Sequence, residues 1–211
     1  MTSSAVVILG AGGHARACID VFESQRRYPI RGLVDKRPGL QEQFFGYPCL
    51  GTDDDLPELA TQCELAFVAV GHIKITELRR NLFYRLRDLG FKFPTVVAST
   101  AYVSPHARIG AGSIVMHGAI VNAGAVVGDN CIINTRAVVE HDVKVGAHCH
   151  ISTGAILNGD VRVGEGSFVG SGCTVREGIS IGQNVLVGMG LSVRHPLADG
   201  VRFVGGGDHE S

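Results

Sequence analysis

The chain has 211 residues, and its 19 lysines and arginines nearly cancel its 20 aspartates and glutamates, leaving a formal net charge of −1. That balance, with no run of either sign, argues against nucleic acid as the main partner and against a basic membrane-binding face. With 29 glycines, no tryptophan and few aromatics, the composition implies many tight turns between short strands, and no apolar stretch approaches the ~20 residues of a membrane span.

The opening MTSSAVVILG lacks the basic start and long apolar core of a signal peptide. Six cysteines, at 18, 49, 63, 131, 149 and 173, form no CxxC pair, so a reduced, cytoplasmic protein is expected. AVVILG reads as a strand, AGGH as a glycine turn and ARACIDVFESQ as a helix. A second strand, IRGLVD, ends at Asp35. YPCLG and ELAFVAVG read as further strands around the helical DDDLPELATQ. ITELRRNLFYRLRDLG is an amphipathic helix, and FKFPTVVA leads out of the segment. Strands alternating with helices predict a small, Rossmann-like parallel α/β domain over 1–98. Its turn, GAGGHA at 10–15, fits G-x-G-x-x-A with Asp35 about twenty residues on. The domain is short for two mononucleotide halves, so a nucleotide diphosphate suits it better than NAD. Glycines there let backbone amides approach an anion at a helix N-terminus.

From Val103 every sixth residue through Val193 is valine, isoleucine or leucine, sixteen positions in a row. If roughly a third of residues were aliphatic, one register would do this about once in 10⁷ to 10⁸ tries. This hexapeptide repeat is the signature of a parallel β-helix over 99–211. Four residues after each aliphatic stands another small or apolar residue, a second inward row that holds Cys131, Cys149 and Cys173 as core residues. Gly110, Gly128, Gly146, Gly164 and Gly182 recur every 18 residues, so three hexads make one coil and residue i stacks on i+18. The phase is expected to run unbroken from 103 to 198. Stacked strands lie about 4.8 Å apart. Outward apolar residues such as Val126 and Ile114 are expected to drive lateral association.

In VVEHDVKVGAHCHIS, residues 138–152, the repeat places His141 and Asp142 at an outward coil corner and Glu140 on the exposed side. A histidine beside carboxylates can act as a general base. Gly159 lies one coil above His141, where its amide could hold an oxyanion. His150 and Asn134 take positions expected to be exposed, while His117, His148 and His195 are expected to be solvated corner residues.

GAGGH at 10–14, VDK at 34–36, VAVGH at 68–72 and a hexapeptide domain with VEHD together resemble the sugar-nucleotide acetyltransferases of the sialic acid O-acetyltransferase type. That group includes enzymes that N-acetylate UDP-bacillosamine precursors or GDP-perosamine, and the latter are the nearest likeness. The resemblance covers almost the whole chain. It implies a left-handed β-helix, a homotrimer with acetyl-CoA bound in grooves between neighbouring helices, and a role in O-antigen or surface polysaccharide synthesis. By resemblance His141 is the catalytic base, Asp142 its acidic neighbour and Gly159 the oxyanion donor. Gly12, Gly13, His14, Asp35, Lys36, Gly71 and Asn134 would bind the nucleotide-linked amino sugar, and His150, Gly159, Gly170 and Gly188 acetyl-CoA. O-acetylation, or a UDP-linked 4-amino sugar, is the nearest alternative. A zinc enzyme like the β-helix carbonic anhydrases is disfavoured because the spacing of His141, His148 and His150 does not match, and no metal is expected. A non-catalytic nucleotide-binding scaffold is a third reading.

Overall fold

Residues 5–36, 44–72 and 77–205 are described by the computed structural model. They fall into two units, Met1–Gly71 with Glu77–Ser99 and His72–Thr76 with Thr100–Ser211. The expected helix start at 75–76 lies outside the described residues.

In the first unit the apolar run Val6–Leu9 forms β1, buried along its whole length. It is followed by α1 (Gly13–Gln25), β2 (Ile30–Val34), β3 (Cys49–Gly51), α2 (Leu56–Gln62), β4 (Leu65–Val68) and α3 (Glu77–Asp88). The strands pair in parallel in the order β3-β2-β1-β4. A parallel sheet has both faces covered, so its strands read as unbroken apolar runs. On one face Phe22 of α1 meets Phe67 edge to face at 5.2 Å. On the other, Val7, Leu9, Ala66 and Val68 pack with Leu56, Leu82, Phe83 and Leu86. Each such valine, leucine or phenylalanine contributes about 1.5–3 kcal/mol. The strand order reverses direction between β1 and β4, and α/β sheets bind ligands outside the carboxyl ends of strands at that point.

In the second unit two-residue strands pair in parallel at 18-residue spacing, for example Val126–Lys144, Ile132–His150 and Val138–Ile156. They build three stacked sheets, consistent with a left-handed β-helix. One sheet carries Val126–Val127, a second Ile132–Ile133 and a third Val138–Val139. The second inward row is present: Ala125, Cys131, Ala137, Val143 and Cys149 are 0 % exposed.

Stacking explains the recurring glycines. A Cβ on Gly128 would stand 2.6 Å from the backbone nitrogen of Ala147, and one on Gly146 2.7 Å from that of Glu165. The next coil leaves no room for a side chain. A separate column, every sixth residue from Gly112 to Gly190, has φ between 53° and 76°. Asp142 and His148 belong to that column, which asparagine, aspartate and histidine tolerate better than most residues. The inward thiols also bond between coils. Cys131 and Cys149 donate to the carbonyls of Gly146 and Gly164 at 3.1 Å, as the Ser113 and Ser167 hydroxyls do to Gly128 and Gly182 at 2.8 Å.

Several expectations for this unit are corrected. The phase holds to Val193 and then shortens by two: Ile181 pairs with Leu197 and Leu186 with Arg202. Pro196, with no N–H and a fixed φ, sits in the shortened turn. Ile114 is fully buried, so it offers no outward surface. The exposed apolar stripe lies instead on the third sheet, where Tyr102, Ile120, Val138 and Ile156 stack coil on coil. Tyr102 and Ile120 there are 55 % and 37 % exposed. His148 and His150 are buried rather than solvated, and His117, Asn134 and Glu140 are half-buried. His195 is exposed, as expected.

Candidate active site

At the carboxyl end of β1 the chain turns through Gly10 to Gly13 into α1. Gly10 has φ +102°, and a Cβ there would come within 2.8 Å of the Val70 side chain, so the fold itself requires this glycine. Gly12 and Gly13 differ. Neither needs a left-handed conformation, and a Cβ on either would meet nothing within 4 Å. The first turn of α1 carries no acidic residue and no side-chain cap. The positive end of the helix dipole lies at this turn.

His14 follows on α1. Gly71 lies against it, since a Cβ on Gly71 would stand 3.1 Å from His14 Cβ. Arg79, buried in α3, donates from Nη1 to the carbonyls of Val68 and Val70 at 2.5 and 2.8 Å and holds the strand end that carries Gly71. Asp35, expected on a nucleoside, accepts from the Ala11 amide at 2.7 Å and so braces the glycine turn. Lys36 is exposed, 3.7 Å from Asp53. Beside the turn, Ala11, Leu33, Asp35, Phe44, Tyr47 and Cys49 line a small slot. Phe44 is buried as core there, and Tyr47 is half-buried.

In the second unit His141 and Asp142 occupy the corner between the third sheet and the first. Asp142 Oδ2 lies 3.0 Å from His141 Nδ1. The carboxylate can only accept, so Nδ1 carries the proton and the Nε2 lone pair is left to act as a base. Both side chains are about two-thirds exposed, and a pair so solvated adds little to stability. The geometry serves the imidazole instead. Two glycines make room for the pair: a Cβ on Gly124, one coil before Asp142, would lie 2.4 Å from its Oδ1. A Cβ on Gly159 would lie 2.6 Å from both Cε1 and Nε2 of His141. The basic nitrogen thus rests against the backbone of Gly159, whose amide donates to no backbone carbonyl among the described residues. Gly124 was not singled out in the sequence, although its 18-residue offset from Asp142 marks it. Glu140 accepts from Asn122 Nδ2 at 2.8 Å, which holds it half-buried beneath this corner.

Asn134, Ser152, Gly170 and Gly188 stack along a different corner, between the second sheet and the third. There Thr135 N–H donates to Asn134 Oδ1 at 2.8 Å, so the amide nitrogen of Asn134 faces His150 Nε2 at 3.0 Å. His150 Nε2 must accept, and its proton therefore sits on Nδ1, which donates to the His72 carbonyl at 2.7 Å. The ring of His150 also packs edge-on against His72 and Phe168. His150 is bonded at both ring nitrogens within the fold. A Cβ on Gly170 would strike the backbone of Gly188 at 2.6 Å, so stacking alone accounts for that glycine; at Gly188 the nearest atom is 3.5 Å away. Within one chain His141, Asp142 and Gly159 are brought together, and so are Asn134 and His150, on separate corners. His148 sits at the third corner, bonded to Asn130 at 2.9 Å, so the three histidines do not converge. No group of three or more histidine, cysteine, aspartate or glutamate residues among those described could hold a metal.

Stacked hexapeptide coils with a histidine–carboxylate pair at a corner fit one class, an acyltransferase built on a β-helix. Residues 5–86 match the model of the PglD N-terminal domain. Residues 124–159 match the bacterial transferase hexapeptide, and 160–194 the hexapeptide repeat of succinyl-transferase. Among solved structures, the acetyltransferase domain of PglB from Neisseria gonorrhoeae FA1090 is 35% identical, over 93% of this chain and 94% of that one, with a TM-score of 0.87. PerB from Caulobacter crescentus, solved with CoA and GDP-perosamine, is 39% identical over 92% of this chain and 91% of its own, with a TM-score of 0.86. A histidine-to-asparagine variant of the Caulobacter perosamine N-acetyltransferase, also with CoA and GDP-perosamine, aligns with a TM-score of 0.87 at 39% identity, covering 92% of this chain and 90% of that one. A search of curated protein sequences finds no match. The chain belongs to the sugar-nucleotide acetyltransferases that join a PglD N-terminal domain to hexapeptide repeats. No helix among the described residues is long and apolar enough to cross a membrane.

Proposed function

We propose that this protein transfers the acetyl group of acetyl-CoA to the amino group of a nucleotide-linked dideoxy amino sugar, with GDP-perosamine the favoured substrate, in the synthesis of surface polysaccharide. The observation that carries this reading is His141 Nε2 lying against the Gly159 backbone, in a chain 39% identical to an enzyme solved with CoA and GDP-perosamine. The neutral amine attacks the thioester carbonyl, and a C–N bond forms as the carbonyl π electrons move to oxygen. His141 Nε2 takes the proton from the amine, while Asp142 stabilises the imidazolium. The Gly159 N–H holds the oxyanion. Collapse breaks the C–S bond, and the proton passes from His141 to the leaving thiolate. No cysteine nucleophile is needed, and Cys131, Cys149 and Cys173 point inward.

In the first unit Gly12 and Gly13, with His14 and Gly71, would take the diphosphate, and Asp35 and Lys36 the nucleoside. Asn134 would contribute to the amino-sugar site, and His150, Gly170 and Gly188 to the acetyl-CoA groove. The last four residues lie on a different corner from His141, so one ligand pair reaches both sets only when a second copy supplies the other corner. The exposed stripe of Tyr102, Ile120, Val138 and Ile156 supports a homotrimer. The test is CoA release from a panel of GDP- and UDP-linked amino sugars, with the matching hydroxy sugars as controls. Turnover confined to UDP sugars, or acetylation of hydroxyl groups, would replace the proposed substrate. A fully active monomer of about 22 kDa by light scattering would remove the two-copy site.

A further inference from the structure

We infer that Arg176 and Arg194 are the phosphate-binding end of the acetyl-donor site: they take the anionic nucleotide end of acetyl-CoA while its thioester lies at His141 and Gly159. The inference rests on reading that corner as the site of acetyl transfer.

The outward column that holds Glu140 continues by steps of 18 through Asn158, Arg176 and Arg194. Thr174 pairs with Ser192 and Val175 with Val193, so the two arginines follow in register on neighbouring coils. Strands so stacked lie about 4.8 Å apart, and like charges directly opposite are destabilising. Both arginines are exposed. Neither guanidinium has an ion-pair or hydrogen-bond partner among the described residues, the adjacent Glu177 included. The polar groups lower in the column are already engaged. Glu140 accepts from Asn122 Nδ2 at 2.8 Å, and Asn158 Nδ2 donates to the Val175 carbonyl at 2.7 Å. Two neighbouring positive charges are left to repel each other, and a bridging phosphate group would relieve that repulsion. The planar fork of a guanidinium matches phosphate oxygens.

Distance from the base selects the anion. Arg176 and Arg194 stand one and two coils beyond Gly159, about 5 and 10 Å along the axis, and their side chains extend that reach. The pantetheine arm is an amide chain of about four residue lengths and spans about 14 Å when extended. A thioester held at His141 thus brings its diphosphate to the level of these arginines. Toward the other end of the β-helix the column holds Asn122 and Ser104, with no lysine or arginine, so the arm runs toward the C-terminal coils. Gly170 and Gly188, expected to line the acetyl-CoA groove from the second corner, lie on the same two coils, each six residues before one of the arginines.

The test uses the full-length enzyme with Arg176→Gln, Arg194→Gln and the double variant. Arg108→Gln, at an exposed position on the first sheet, controls for the change in net charge. Calorimetry measures the binding of CoA, and of pantetheine, which carries no phosphate, without turnover. CoA affinity should fall about tenfold in each single variant and further in the double, the scale of a charged hydrogen bond at an exposed site. Pantetheine binding, and CoA binding by Arg108→Gln, should hold within about twofold. In turnover the acetyl-CoA KM should rise in parallel, with kcat and the sugar-nucleotide KM nearly constant. The advantage of CoA over pantetheine in the wild type should shrink as salt is raised. Unchanged CoA affinity in the folded double variant overturns the inference, as does an equal loss for pantetheine or a loss confined to the sugar-nucleotide KM. A wild type that binds no CoA overturns the reading of the corner instead, and the role of the arginines falls with it.

Discussion

Replacing Gly159 with alanine adds one methyl group at a point 2.6 Å from Cε1 and Nε2 of His141. Ordinary contact begins at 3.4 Å, so the tip of the imidazole must retreat by about 0.8 Å. The backbone at 159 is outside the left-handed region, and alanine strains nothing there. His141 is exposed and free to move, so the cost to stability should stay within about 0.5 kcal/mol. Catalysis should not be spared. A misplacement near 1 Å at a reacting group costs about 10²-fold, so kcat for CoA release should fall by that order, about 2.7 kcal/mol. The amide of residue 159 survives the substitution, so the loss belongs to the displaced base. A double mutant separates the two roles: with His141→Asn already present, Gly159→Ala should cost less than about threefold more. The assay is thiol release under saturating acetyl-CoA, with thermal melts to show that each variant is folded. Wild-type kcat in folded Gly159→Ala would refute the contact between this glycine and the base. A full second loss in the His141→Asn background would assign the glycine to the oxyanion or the substrate instead.

His141→Asn should lower kcat by about 10² to 10⁴ with little change in acetyl-CoA KM, and the acid limb of the pH–rate profile should vanish with it. Asp142→Asn should cost only a few-fold in kcat, because asparagine tolerates the φ of 62° there and its carbonyl still accepts from Nδ1. Gly128→Ala should destabilise the β-helix by about 1–3 kcal/mol, read from denaturant midpoints, since its Cβ meets backbone at 2.6 Å; a neutral result would mean the coils part freely. Stability should also fall above pH 9. Burial raises the Cys18 thiol from 9.0 to about 12, so between those values the unfolded chain releases a proton that the folded chain keeps. Each such thiol then removes up to about 1.4 kcal/mol per pH unit, and Cys18→Val should flatten that slope in urea melts.

The β-helix and its His141–Asp142 corner were legible in the sequence for one physical reason. A solenoid of constant coil length turns three-dimensional adjacency into arithmetic, so adding 18 to His141 finds Gly159, and subtracting 18 from Asp142 finds Gly124. The inward cysteines and the stacking glycines follow from the same count. The glycine turn was legible as strand, turn and helix, though not which of its glycines the fold itself needs. Gly10 is demanded by Val70, while a Cβ on Gly12 or Gly13 would meet nothing within 4 Å. What the repeat could not say is what covers its outer surface. Periodicity marks Ile114, His148 and His150 only as not belonging to the inner row, and outward on a coil is not the same as exposed to water. His150 is buried because residue 72, from the middle of the preceding segment in sequence, brings its carbonyl and ring over that sheet. Pairings between distant segments, such as His72 with His150 or Asp35 with the Ala11 amide, depend on where the chain returns in space. A local pattern carries no information about that return, so only the tertiary structure decided that His141 stays exposed at its corner while His150 is a buried latch.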